Sequence, residues 1–176
     1  MAINASIYGS LDEADEYFQS RLHEMAWTGA TLANRRKALI AARSIIDALN
    51  YKGVKHNVYT LCGPTPKTSG GSQDDIQAAE ASQPLEFPRG EDAEVPEAIR
   101  IAEYEIAYAL LDGKDPELEL ENLAISGMGY GAVKTNYERS QLPIEHIINM
   151  VPSSVAWRLL RPFLRDSDAL KLSRLS

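Results

Sequence analysis

Apolar residues return at intervals of three and four over three separate stretches of the chain, and that period admits a helix facing a core and excludes a half-buried strand. The stretch after Thr31 carries Leu32, Leu39, Ala42, Ile46 and Leu49 before Gly53 supplies a stop; the stretch after Pro96 carries Ile99, Ala102, Ile106 and Ala109 before Gly113. The first stretch begins with Ser10 and Glu13 in the order of a capping box, followed by Leu11, Ala14, Phe18, Leu22 and Met25. Helices are therefore expected over about 11–25, from Thr31 toward Gly53, and from Pro96, at the first helical position, to Asp112. Asp12, Glu13, Asp15 and Glu16 complement the positive end of the first helix dipole. Ile101, Leu110 and Leu111 widen the third stripe, so that helix is expected to be covered on two sides.

Between the second and third helices the character changes. Residues 54–93 include GPTPKTSGGSQDD and hold no sustained apolar period, which reads as a long exposed loop, open to ordering by a neighbour. Residues 123–138 flank Gly127, Gly129 and Gly131 with Leu123, Ile125, Val133 and Tyr137, the pattern of a small β-hairpin. Ser153 or Ser154 opens a last helical piece that Pro162 breaks. The expected fold is mainly α: a helical bundle with a small β-hairpin, an extended loop and a C-terminal arm. The body would be residues 1–151 and the arm 152–176.

Charge is distributed in support of that division. The chain carries a formal charge of -7, yet residues 152–176 hold five cations against two acids, while 86–121 hold twelve acids against three bases. An acidic body disfavours whole-surface binding to nucleic acid, which needs clustered Lys and Arg to neutralise phosphates. In the basic end, Trp157, Leu160, Phe163 and Leu164 alternate with Arg158, Arg161 and Arg165. Trp and Arg concentrate binding energy at protein interfaces, so these seven residues are the expected partner-binding set. Arg35 and Arg36 interrupt the second apolar stripe and are read as ion-pairing residues within or between subunits. Tyr104 and Tyr108, one turn apart, fit either a subunit interface or the core.

Residues for catalysis are sparse. His23, His56 and His146 are scattered, and Cys62 is the only cysteine, so neither a Cys-based metal cluster nor an intramolecular disulfide is available. Ser126 lacks the flanking glycines of a nucleophile elbow, and the glycines at 127, 129 and 131 miss the dinucleotide spacing. Asp74 with Asp75, and Glu91 with Asp92, are paired acids in loop sequence with no apolar pocket around them. No catalytic, cofactor or metal site is expected, and neither an enzyme nor a membrane span, since no stretch reaches about 18 apolar residues. The N-terminal sequence lacks the charged and apolar regions of a secretory signal, so synthesis in the cytoplasm is expected.

The order of the segments ANRRKALIAARSIIDALNYKG, PLEFPRG, EVPEAIRIAEYEIAYALL, the glycine-rich stretch and VPSSVAWRLLRPFL resembles the head-to-tail adaptor proteins of tailed bacteriophages, a group also labelled DnaT-like single-stranded-DNA-binding proteins. The resemblance covers nearly the whole chain and implies a virion protein of the neck. It implies a ring, commonly of about twelve copies, lying beneath the portal protein, joined below to a tail protein and passing DNA without specific binding. Carried over by position, the body would be Leu11–Tyr51 with Pro96–Asp112 and the portal-binding arm would begin near Pro152; Arg35, Arg36, Tyr104 and Tyr108, from their place in the stripes, are the residues expected at subunit interfaces. The alternative is a single-stranded-DNA-binding module of phage replication, which needs aromatic residues stacked in a cationic groove.

Overall fold

The computed structural model describes residues 6–64, 72–123, 127–130, 133–136 and 145–165. Among them the fold is mainly helical. Helix α1 spans Leu11–Gln19, α2 Met25–Thr28, α3 Leu32–Asp47, α4 His56–Cys62, α5 Gln73–Ser82, α6 Glu97–Leu111, α7 Pro116–Leu123, α8 Glu145–Ile148 and α9 Ser154–Leu160, followed by a 3-10 turn over Arg161–Phe163. The four-residue segments Gly127–Tyr130 and Val133–Asn136 pair antiparallel with each other. The small β-hairpin expected over 123–138 is not supported: Leu123 ends α7, and residues 124–126, 131–132 and 137–138 lie outside the described residues.

Helix α6 is the centre. Its face bearing Ile99, Ala102 and Ile106 meets α3 through Leu39, Ala42 and Ile46, and α9 adds Ala156 and Leu160 to the same core. All eight of these side chains are fully buried. The small residues on each helix let the axes approach while the larger ones interdigitate, the usual way in which helix ridges fill grooves. The expectation that α6 is covered on two sides holds, and both covers come from the same chain.

The caps explain where two helices begin. The Ser10 side chain accepts the Glu13 backbone N–H while the Glu13 carboxylate accepts the Ser10 N–H, and Thr31 accepts the Asn34 N–H. Pro96 precedes α6 as its N-cap residue and does not occupy the first helical position.

The first helix ends earlier than the apolar period indicated. Ser20 donates its hydroxyl to the Tyr17 carbonyl, His23 turns to φ +60°, and the Tyr108 hydroxyl bonds the His23 carbonyl. This turn separates α1 from α2 and leaves Leu22 and Met25 each 83% exposed, away from the core they were expected to join.

The expected loop over 54–93 contains helices α4 and α5, which pack on each other. Val58 and Cys62 are the buried face of α4, α5 has no buried residue, and polar groups hold the ends of the pair. Ser72 accepts the Asp75 N–H at the start of α5. Buried Gln83 accepts the Asn57 N–H through Oε1 and donates through Nε2 to the carbonyls of Leu85 and Pro88. The FPR triplet ties this region to the body. Phe87 is buried edge-on against Tyr51, the Phe87–Pro88 bond is cis, and the Arg89 guanidinium bonds the carbonyls of Lys52 and Gly53 and the Glu86 carboxylate.

Candidate functional site

The expected C-terminal arm does not begin at Pro152. Val151, Pro152, Ala156 and Leu160 are all buried, and Ser153 caps α9 by accepting the Ala156 N–H. Phe163 stands edge-on to Phe87 with centroids 5.5 Å apart, and Leu164 bridges to Tyr51. The Arg165 N–H reaches the Asn50 carbonyl and its Nε the Tyr51 carbonyl. The division at 151/152 is therefore corrected: the chain belongs to the body through Arg165. Residues 166–176 lie outside the described residues.

That placement divides the expected partner-binding set. Leu160 is 0% exposed and belongs to the core, while Phe163, Leu164 and Arg165 are engaged with the Asn50–Tyr51 corner and Phe87. Trp157 is half-buried and donates Nε1–H to Glu145 at 3.3 Å. Arg158 and Arg161 remain as exposed cations, with Arg161 Nε 3.8 Å from the same Glu145 carboxylate. At surface exposure such a contact holds the side chain only weakly.

The two adjacent arginines of α3 have different surroundings. Arg35 donates Nε–H to the Trp27 carbonyl, Nη2–H to the Thr28 carbonyl and Nη1–H to Asp15 at 2.9 Å, and its guanidinium lies over the Trp27 ring. It adds donors to the C-terminal carbonyls of α2 and joins that helix to α1, so its ion pair is internal. Asp15 also accepts the Trp27 indole N–H. Arg36, one residue on, is exposed.

Tyr104 and Tyr108 belong to the body as well. Tyr104 is buried and donates its hydroxyl to Glu13; burial, then the nearby Glu13 charge, pushes its phenol far up. Tyr108 stacks on Phe18, carries the Arg21 guanidinium 4.4 Å from its ring centre and anchors the His23 turn.

Two acids missed by sequence reading lie in the apolar centre. Glu103 is 0% exposed, and its two carboxyl oxygens accept the backbone N–H groups of Tyr8 and Gly9, each at 3.0 Å. Burial pushes the Glu103 carboxyl up to about 7, against the two N–H donors that favour its ionised form. Glu105 accepts the Tyr17 hydroxyl at 2.7 Å and pairs with Arg21 at 3.1 Å. Burial and that same bond push the Tyr17 phenol up to about 12. A signal for both acids was present: Glu103 follows Ile99 by four and precedes Ile106 by three, and Glu105 stands likewise between Ala102 and Ala109. Helical phase thus placed them inward although their chemistry argued for the surface.

Tyr8 completes this network. Its hydroxyl bonds Asp47 of α3 and accepts the Glu86 N–H at 3.1 Å, and its ring meets Phe87 edge-on. Burial, followed by the Asp47 contact, raises its phenol far above the ordinary range. A segment ahead of α1 is thereby fastened to α3, α6 and the Glu86–Phe87 loop.

An open groove of about 350 Å³ runs between α1 and α6, bordered by Glu13, Glu16, Tyr17, Glu97, Arg100 and Tyr104. Its ionisable groups are arranged as the Glu13–Arg100 pair and exposed acids, with no group of three metal-ligating side chains among the described residues. Cys62 is a buried free thiol, and His56 Nδ1 lies 2.9 Å from the Gly90 carbonyl. No family model matches the chain, and no curated protein or solved structure matches it.

Proposed function

We propose that the chain is a structural subunit of a phage head-to-tail connector, acting by assembly and not as an enzyme. The observation supporting this reading is that the segments carrying the resemblance form one packed body. ANRRKALIAARSIIDALNYKG supplies α3, EVPEAIRIAEYEIAYALL supplies α6, and VPSSVAWRLL supplies α9, while PLEFPRG fastens the chain between α5 and α6 to Tyr51. Segments that build one core, with no convergent catalytic groups set among them, suit a scaffold. In this reading a ring of copies lies under the portal, its acidic wall passes DNA without gripping phosphates, and a tail protein joins below. Exposed Leu22, Met25 and Leu32 offer apolar surface for subunit contact. With Leu160 and Phe163 engaged internally, portal contact falls to Arg158, Arg161 and residues 166–176.

The experiment is to mix purified protein with portal particles and image them by electron microscopy, beside a chain ending at Arg165. A ring beneath the portal with the full chain, weakened by the truncation, is the expected result. Absence of any ring, together with oligonucleotide binding that is micromolar and steeply salt-dependent, would assign the chain to single-stranded DNA instead.

A further inference from the structure

We propose that the acidic groove between α1 and α6 of one copy receives the outer face of α3 of a second copy, led by Arg36 and Lys37, in a head-to-tail contact that repeats from copy to copy. The groove, of about 350 Å³, takes its apolar lining from Tyr17, Tyr104 and Ile101. Within it Glu13 and Arg100, 2.9 Å apart, neutralise each other. Glu16 from α1 and Glu97 from α6 border it as exposed acids and enter no ion pair among the described residues. Two uncompensated negative charges therefore stand beside apolar surface.

The start of α3 carries the complement. Arg36 and Lys37 are both exposed and pair with no carboxylate among the described residues. Leu32, 52% exposed, and half-buried Ile40 lie one turn to either side of Arg36. Apolar stems and neighbours that lie on Tyr17 and Ile101, with cationic heads on Glu16 and Glu97, give the contact an apolar centre and a charged rim. The chain carries a formal charge of -7, so two copies that meet acid to acid repel, and an exposed pair of cations fixes which face a neighbour can approach. Arg158 and Arg161 on α9 are less free for this, since Arg161 leans toward Glu145 of its own chain.

Helical phase sets the two surfaces on opposite sides of the body. On α6, Glu97, Ile101 and Tyr104 lie about half a turn from Ile99, Ala102 and Ile106, which meet α3. On α3, exposed Lys37 and Ser44 lie about half a turn from Leu39, Ala42 and Ile46, which meet α6, with Arg36 and Ile40 alongside. The groove and the α3 face thus point away from each other across the α3–α6 pair. A contact between such faces is heterologous, so it generates a closed ring or a filament and does not end at a dimer. It would serve as the subunit interface of the connector reading but needs only the body.

The test is sedimentation velocity of the full chain over rising protein concentration at low salt. The natural chain is expected to grow past a dimer, and to dissociate as salt is raised. Arg36→Glu with Lys37→Glu weakens association by about tenfold or more, Glu16→Lys with Glu97→Lys does the same, and all four substitutions in one chain restore it. Arg158→Glu with Arg161→Glu leaves it unchanged. The exchanged side chains are exposed, and circular dichroism checks that each variant is folded. A natural chain that stays monomeric at every concentration, stops at a dimer, or associates more strongly with salt overturns the proposal without recourse to a variant. So do reversals without effect, or a fourfold variant that fails to recover. Mixing the same proteins with portal particles separates the two readings: portal binding by a chain that never self-associates overturns this contact and keeps the connector role, whereas reversal-sensitive assembly that ignores the portal keeps the contact and removes that role.

Discussion

Leu160→Ala separates a core residue from a docking anchor. The side chain is fully buried, on a helix that packs against α6 beside Ile99, Ala102 and Ile106. Truncation removes three carbons, worth about 0.8 kcal/mol each in transfer from water, and leaves a cavity that the α3 and α6 side chains cannot wholly fill; together these cost about 3 kcal/mol. A domain of this size has roughly 5–15 kcal/mol of stability, so the variant folds but with a large part of its margin gone. In urea, with a slope of about 2 kcal/mol per molar, the midpoint falls by about 1.5 M at unchanged slope. Circular dichroism at 222 nm across a urea series measures this directly. A midpoint within about 0.2 M of the natural protein, given the same slope, would refute the assignment of α9 to the body and restore a free arm beginning near Pro152.

Three further outcomes follow from particular contacts. Gly9→Ala drives a methyl against the Tyr104 hydroxyl, breaking its bond to Glu13, and lowers stability by about 1–3 kcal/mol in thermal melts. Arg35→Ala removes a donor from the Thr28 carbonyl, from the Trp27 carbonyl and from Asp15, the last of which keeps only the Trp27 indole N–H, and costs about 1–3 kcal/mol, while Arg36→Ala next to it changes the melt by less than about 0.5 kcal/mol. Arg89→Lys keeps the charge but loses the fork that reaches Lys52, Gly53 and Glu86, and the exchange protection of α4 amides falls relative to α6.

Much of the bundle was legible because its determinants are local. The Ser10 capping box, the Thr31 cap and the stripes of α3 and α6 depend on neighbours within four residues, which sequence displays. What failed depends on partners far along the chain. Leu22 and Met25 continue the period of α1, but the helix has already ended at a turn held by Tyr108, more than eighty residues away. Helices α4 and α5 were read as loop because Gln83, Arg89 and backbone carbonyls hold the region in place of an apolar stripe. Glu103 and Glu105 were in phase with the core but carry charge, and their compensating donors lie at Tyr8, Gly9, Tyr17 and Arg21. The C-terminal segment was misread for a related reason. Aromatic and arginine residues that bind a partner's surface have the same composition as those that close a chain against its own body, and long-range contacts, the buried Leu160 and the Tyr51–Phe87–Phe163 cluster among them, distinguish the two uses.

The proposed connector role is tested most directly by cryo-electron microscopy of portal particles incubated with the full chain. The expected image is a closed ring of copies beneath the portal, coaxial with its channel, with density for residues beyond Arg165 reaching the portal surface. Portal particles unchanged by saturating protein would contradict the role.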